Sequence, residues 1–184
     1  MLIRGRTHFL LWLLPATLAA APPSRAEEPP AAPTLLRDLA FFTGVRRCQA
    51  RTPAGPTGPA QQFAATVTTK AELGSHFVRV DYQEEASATH KAPITGVEYW
   101  GYDGAAKAFS RSGFDSTGAL YRCSAAGWEG DRWRWQGEAV LQGRRFPLRE
   151  TTVRKGSTQS HTTSEIEIPG AGWVVIAETD CRSA

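Results

Sequence analysis

Glu98, Trp100 and Tyr102 alternate along the stretch Val97–Asp103. A two-residue period places their side chains on one face of a strand. If that face turns inward, Glu98 is a buried acid, and a buried carboxylate needs a partner. Arg79, Arg111 and Arg122 are the candidate partners. An acid held in a cavity is a candidate general acid or base; the same acid clamped by arginine is a structural ion pair. A second pair comes from Asp131-Arg132-Trp133-Arg134-Trp135-Gln136-Gly137, where both tryptophans face one way and both arginines the other. Gly137 follows on the tryptophan face and leaves room for a ligand or for a neighbouring backbone. Arg79, Glu98, Trp100, Tyr102, Trp133 and Trp135 are therefore the candidate ligand-lining residues. Aromatic walls with a few polar groups are the make-up of ordinary small-molecule sites, and aromatics also fill small barrels outright.

Other reactive groups fall into less informative patterns. His76, His90 and His161 are scattered and show no HxH or HExxH spacing, so no metal site is expected. Asp103, Asp115 and Asp131 sit in turns, where aspartate serves local hydrogen bonds. There is no G-x-S-x-G elbow and no glycine-rich phosphate loop, and no cofactor is expected. Cys48, Cys123 and Cys181 allow three single pairings. Cys48 lies in the first expected strand and Cys181 in the last. Those strands are neighbours in a closed barrel, which favours Cys48–Cys181 and leaves Cys123 as a buried thiol.

The elements that must position these residues are strands. Phe63 to Thr69, His76 to Tyr82, Val97 to Asp103, Asp131 to Gly137, Leu148 to Arg154 and Ser164 to Ile168 all carry period-two or β-prone patterns. Turn signals separate them, among them Leu73-Gly74-Ser75, Asp103-Gly104, Thr117-Gly118, Glu129-Gly130, Lys155-Gly156 and Pro169-Gly170. The apolar run Trp173 to Ala177 reads as a strand buried on both faces or against a helix. One helix is expected, from Leu35 to Gly44, with Thr34 as its cap. The expectation is an all-β fold: an antiparallel up-and-down lipocalin-like barrel of about nine or ten strands, with a short N-terminal capping helix over one end.

The chain opens differently. Arg4 and Arg6 precede an apolar run from Phe9 to Ala21, shorter than the roughly 20 residues that a bilayer span requires. Ser24 and Ala26 supply small residues before Glu27. Residues 1–26 read as a signal peptide, 27–33 as a Pro/Ala-rich disordered lead-in, and 34–184 as the barrel domain. The protein is expected to be exported, to the periplasm or beyond, with no membrane span after cleavage. The whole chain holds 21 Lys and Arg against 18 Asp and Glu. The leader contains Arg4, Arg6 and Arg25 and no acid, so the remaining chain is balanced, and no nucleic-acid partner is expected.

Several short motifs add a resemblance. Leu39-Ala40-Phe41-Phe42-Thr43-Gly44 followed by Cys48 is similar to the opening of a secreted bacterial family, the DUF1579 type, assigned to the lipocalin-like (calycin) barrels. Trp100-Gly101-Tyr102-Asp103, Phe114-Asp115-Ser116-Thr117-Gly118, Gly127-Trp128-Glu129-Gly130-Asp131 and Cys181-Arg182 follow in that family's order. The resemblance covers about residues 35–182 and implies a barrel with a possible cavity, without naming a ligand. It departs at Arg46, where the family has a tryptophan that closes the floor beneath the helix. Arg46 implies either a wetter floor or another tryptophan in that space. The related nitrobindin-type barrels hold haem through a late histidine. Here the strand from Trp173 to Cys181 has none, and His161 stands in a polar strand.

The leading expectation is an exported protein that holds a small apolar or aromatic ligand in its barrel. The alternatives are a fully packed structural or interaction module and an enzyme using Glu98 as general acid or base. The sequence carries no signal for oligomeric state.

Overall fold

The computed structural model describes residues 37–55, 58–88 and 90–184. The expected leader, the lead-in and the first part of the expected helix, Thr34 to Leu36, lie outside these residues. Eleven strands follow one another: β1 (Gly44–Thr52), β2 (Gln61–Glu72), β3 (Phe77–Glu84), β4 (Thr95–Asp103), β5 (Ala108–Asp115), β6 (Leu120–Ala125), β7 (Trp128–Glu129), β8 (Arg132–Leu141), β9 (Arg144–Arg154), β10 (Gln159–Ile168) and β11 (Gly172–Ser183). All pairings are antiparallel. β1 to β6 pair in sequence order, β6 skips to β8, β8 to β11 continue in order, and β11 returns to β1. Ten strands thus close a ring, and the two-residue β7 hangs on β8. This is the up-and-down all-β barrel that the turn spacing predicts.

Local chemistry explains the hairpins. Between β8 and β9, Gln142 and Gly143 both take positive φ, 50° and 74°. That is the mirror-image turn whose twist matches two antiparallel strands. At the β5–β6 turn, Asp115 Oδ1 accepts from the Thr117 and Ala119 amides at 2.8 and 3.2 Å. Asp103 does the same for Ala105 and Ala106 at 2.9 and 3.0 Å. These carboxylates serve their turns, as their positions indicate.

Within the described residues the helical element ends at Phe42, before the Gly44 that its sequence pattern marks as the stop. One turn at residues 37–39 tightens to a 3-10 turn over Ala40–Phe42, and Thr43 is already extended. Gly44 then takes φ 97°, which a side chain rarely tolerates, and β1 begins. The turn lies across the end of the barrel where β1 starts, here called the floor; the opposite end, with the 53–60 hairpin and the 85–94 loop, is the mouth. Phe42 plugs the floor. Its ring stacks on Trp128 at 5.4 Å and meets Trp100 and Trp133 edge-on at 5.2 and 5.7 Å. Trp128 Nε1 donates to the Asp38 carbonyl at 2.7 Å, tying the turn to the barrel.

Arg46 is buried at the floor, 4% exposed. It donates to the Phe41 carbonyl at 3.0 Å and to Ser160 Oγ at 3.1 Å, and its guanidinium lies 4.7 Å from the Phe41 ring. Trp128 supplies the aromatic plug, backed by the Arg154 guanidinium 3.4 Å from its ring centroid. Of the two readings at Arg46, another tryptophan fills the space.

The apolar run at β11 is not buried on both faces. Trp173 is 37% exposed and residues 174–177 are only half-buried. The barrel is a single layer, so one side of every strand faces solvent. Arg149 lies 4.3 Å over the Trp173 ring and covers part of it. A register shift at Ser164/Glu165 in the β10–β11 pairing accompanies this run.

Candidate ligand site in the barrel interior

Strand register decides which side chains meet inside. Trp100 stands opposite Val78 and Arg111, and Glu98 opposite Val80 and Gly113. Val78 and Val80 are buried core residues, so the face shared by Glu98, Trp100 and Tyr102 is the inner one. Glu98 is thereby an inward acid, and Arg111 is its partner. Arg111 Nη2 donates to Glu98 Oε1 at 2.7 Å, and Trp100 Nε1 donates to Glu98 Oε2 at 2.7 Å. Arg122, the residue next to inward Cys123, stands on the alternate face opposite Ser112 and Glu138.

Arg111 reaches further, across the barrel. Its Nη1 donates to Glu150 Oε1 at 2.7 Å, and Ser164 Oγ donates to Glu150 Oε2 at 3.0 Å. Four strands thus contribute one inward chain, Trp100–Glu98–Arg111–Glu150–Ser164. The Arg111 side chain is 8% exposed, against 17% and 19% for Glu98 and Glu150. Burial alone would lower the Arg111 pKa; Glu150 and Glu98 outweigh it, and the net shift is upward. The guanidinium is a fixed charge. Gly113 makes room for the chain: a Cβ there would come within 2.5 Å of Glu98 Cγ.

Arg79 stands apart from the other candidates. It pairs with Asp81 at 2.8 Å on the outer face of β3, with its side chain 35% exposed. The reason is alternation: Val78 and Val80 take the inner positions. Trp133 and Trp135 do face inward but are 0% and 1% exposed, packed 5.5 Å from each other. Trp135 also meets Trp100 at 5.3 Å, and Trp133 meets Phe109 at 4.8 Å. Tyr102 packs edge-on against Phe109 at 5.3 Å. These rings form a filled aromatic layer between the floor and the Glu98–Arg111–Glu150 chain. Gly137 is no ligand space either. A Cβ there would overlap the Arg122 carbonyl oxygen and lie 2.7 Å from Cys123 Cα, so the glycine admits the neighbouring backbone of β6.

Above the aromatic layer the interior is less filled. Val67, Tyr82, Tyr121, Thr162, Ala177 and Thr179 occupy inward register positions, yet all are only half-buried. An inward side chain in a closed barrel keeps exposure only where a water-sized sphere fits beside it. On the same strands the floor-side Thr69, Val80, Cys123 and Ser160 are buried, whereas Cys181 on β11 is half-buried like Ala177 and Thr179.

At the mouth the 85–94 loop folds inward on His90. Its Nε2 lies 2.6 Å from Glu84 Oε2 and its Nδ1 3.0 Å from Gln61 Oε1, and its ring stacks on Phe63 at 4.7 Å. Glu84 also accepts from Tyr82 Oη at 2.9 Å and from the Ile94 amide at 2.8 Å. His161 lies on the outer face beside Asp180, at 2.8 Å. Among the described residues no group of three or more His, Cys, Asp or Glu is placed to hold a metal ion.

Two of the three cysteines behave as their strands dictate. Cys48 and Cys181 are direct partners across the β1–β11 seam, Cα atoms 4.1 Å apart, and form a disulfide. Cys123 is free and buried, facing the interior beside Arg111. Burial raises its thiol to about 11, with Arg111 pulling the other way. It is a thiol, not a thiolate nucleophile, at neutral pH.

Alternation of the strand reveals Glu98, but sequence reasoning missed Glu150 and Ser164. The available signal was an acid on the same face as Leu148 in β9 and a serine on the same face as Ile166 in β10. As for chemistry, both Glu98 oxygens already accept from N–H donors, which suits anchoring and electrostatic recognition better than proton transfer.

No family model matches this chain, and no curated protein matches it in sequence. Solved structures do match. The crystal structure of Rv2717c from M. tuberculosis superposes with a TM-score of 0.61 over 81% of this chain and 96% of that one, at 12% identity. At that identity the likeness is one of fold, an antiparallel β-barrel.

Proposed function

We propose that this protein is an exported small-molecule-binding protein, with its ligand held inside the barrel between the aromatic layer and the mouth. The observation that carries the reading is the half-buried state of inward side chains at mid-barrel, next to a buried ion-pair chain. A packed structural barrel would bury them. The ligand is small. Ile176 and Ala177 on β11 offer it apolar contact, and the rings of Trp133 and Trp135 are taken up by packing. Export rests on the leader-like residues 1–26 and fits the Cys48–Cys181 disulfide, which persists in oxidising compartments. Placement among the lipocalin-like barrels rests on the order of the Trp100–Asp103, Phe114–Gly118 and Gly127–Asp131 motifs. Among the described residues no helix is long and apolar enough to cross a membrane. Arg47, Lys70, Arg79, Asp81 and Arg149 on the outer face are the reverse of a lipid-facing barrel surface.

Native mass spectrometry of gently purified exported protein is the test. A non-covalent adduct that disappears in Ala177→Trp, which fills the interior, is the expected result. Wild-type protein that carries no adduct and takes up no small-molecule probe overturns the reading.

A further inference from the structure

The charge inside the barrel is unbalanced. Glu84, Asp115, Glu98 and Glu150 all occupy inward positions from the mouth down to the aromatic layer, each matched by register to an inward neighbour. Arg111 is the one buried inward guanidinium described on that side of the layer; Arg144, inward by register, is exposed at the mouth with its guanidinium 5.2 Å from the Phe146 ring. Arg46 and Arg154 lie at the floor, beyond Phe42, Trp128 and Trp133. His90 is the remaining inward base, already bound to Glu84. Arg111 spends one terminal nitrogen on each of two carboxylates, so two acids share one cation. The cation is the more shielded member of the trio, and the carboxylates keep the greater exposure. Walls of low dielectric focus such an excess into the enclosed space.

We propose that the ligand of this interior carries a positively charged nitrogen, an ammonium on a small apolar body, seated against Glu98 and Glu150. The inference rests on the interior-binding reading above and specifies the chemistry of its ligand. Carboxylate oxygens accept more than one hydrogen bond. Glu98 has Trp100 and Arg111 as donors, and Glu150 has Arg111 and Ser164; both stay partly exposed and retain acceptor capacity. Ala177, paired with Ser164 in the strand row of Glu150, is the nearest apolar residue to take the ligand's hydrocarbon part. A carboxylate or phosphate ligand meets the opposite situation, because the guanidinium it would need is sealed behind two acids.

Three probes of matched shape test this with the full exported chain: 2-phenylethylammonium, 2-phenylethanol and 3-phenylpropanoate, each titrated calorimetrically. The expected order is ammonium tightest, by about tenfold over the alcohol, with the carboxylate weakest. Glu150→Gln should weaken the ammonium about tenfold and leave the alcohol unchanged. Should Glu150→Gln fail to fold, Ala177→Lys places a built-in ammonium in the strand row of Glu150 and Ser164, and it should exclude the added ammonium probe. An alcohol or carboxylate that binds as tightly as the ammonium, and is blocked by Ala177→Trp, overturns the ligand class while leaving interior binding intact. An ammonium preference that survives Ala177→Trp places the binding elsewhere and also overturns the proposal. No binding of any probe, together with no retained adduct, overturns both readings.

Discussion

Cys123 shows how much a single buried side chain can say about pH. Its thiol is raised to about 11 by burial, against the opposing pull of Arg111. In the unfolded chain a thiol ionises near 8.5. Between those values the unfolded chain releases a proton that the folded chain keeps. Stability from this residue is therefore complete below about pH 8.5 and is lost progressively as pH rises toward about 11. Tyr82 and Tyr121 are also raised, by burial first and then by Glu84 and Asp115 respectively, and they add to the loss at still higher pH. Urea midpoints measured from pH 8 to 10.5 should fall less steeply for Cys123→Ala than for the unmutated protein. Parallel curves would mean that the thiol ionises equally in both states. At the same scale, Glu98 was readable because alternation assigns a face without any knowledge of the partner strand. Its partner was not. Three arginines stood open, and the choice of Arg111 depends on which strand closes against which, a long-range fact.

Among the elements, the β6–β8 seam carries a constraint that the sequence left open at Gly137, between room for a ligand and a neighbouring backbone. The chain skips β7 to close the ring there, and β6 backbone approaches Gly137 more closely than any side chain allows. Gly137→Ala should cost roughly 3 kcal/mol or more, because the obstruction is backbone and has nowhere to move. Gly113→Ala is the comparison: the obstruction is the flexible Glu98 side chain, so the loss should be smaller and should displace the ion-pair chain instead. Denaturation midpoints for the two variants check this, and an equal or reversed ranking would sink it. The strands and their faces were legible because period two survives in β8 and β4 with little noise. The helix was legible in place, and it ends at Phe42 rather than at Gly44 because Phe42 is committed to the aromatic plug and Gly44 turns the chain into β1. The β11 run misled because an apolar sequence was read as doubly buried, and a one-layer barrel has no second layer to bury it.

For the whole molecule, the barrel topology was legible from even turn spacing, and the Cys48–Cys181 pairing followed from asking which strands a closed ring must bring together. The interior could not be read so far. Whether aromatics pack or line a space depends on how ten strands tilt together, which no local pattern encodes. Every strand pairing but one joins near neighbours in sequence; β1 with β11 is the exception, and the disulfide sits on that seam. Residues 48 to 181 are consequently a covalent macrocycle. One backbone cut inside it cannot release a fragment. A protease site placed in the 53–60 hairpin and cut once should leave a single band on a non-reducing gel and two bands after reduction. Two bands without reductant would mean that the loop was never closed. A protease that nicks this chain once between residues 48 and 181 meets a ring that the first cut does not take apart.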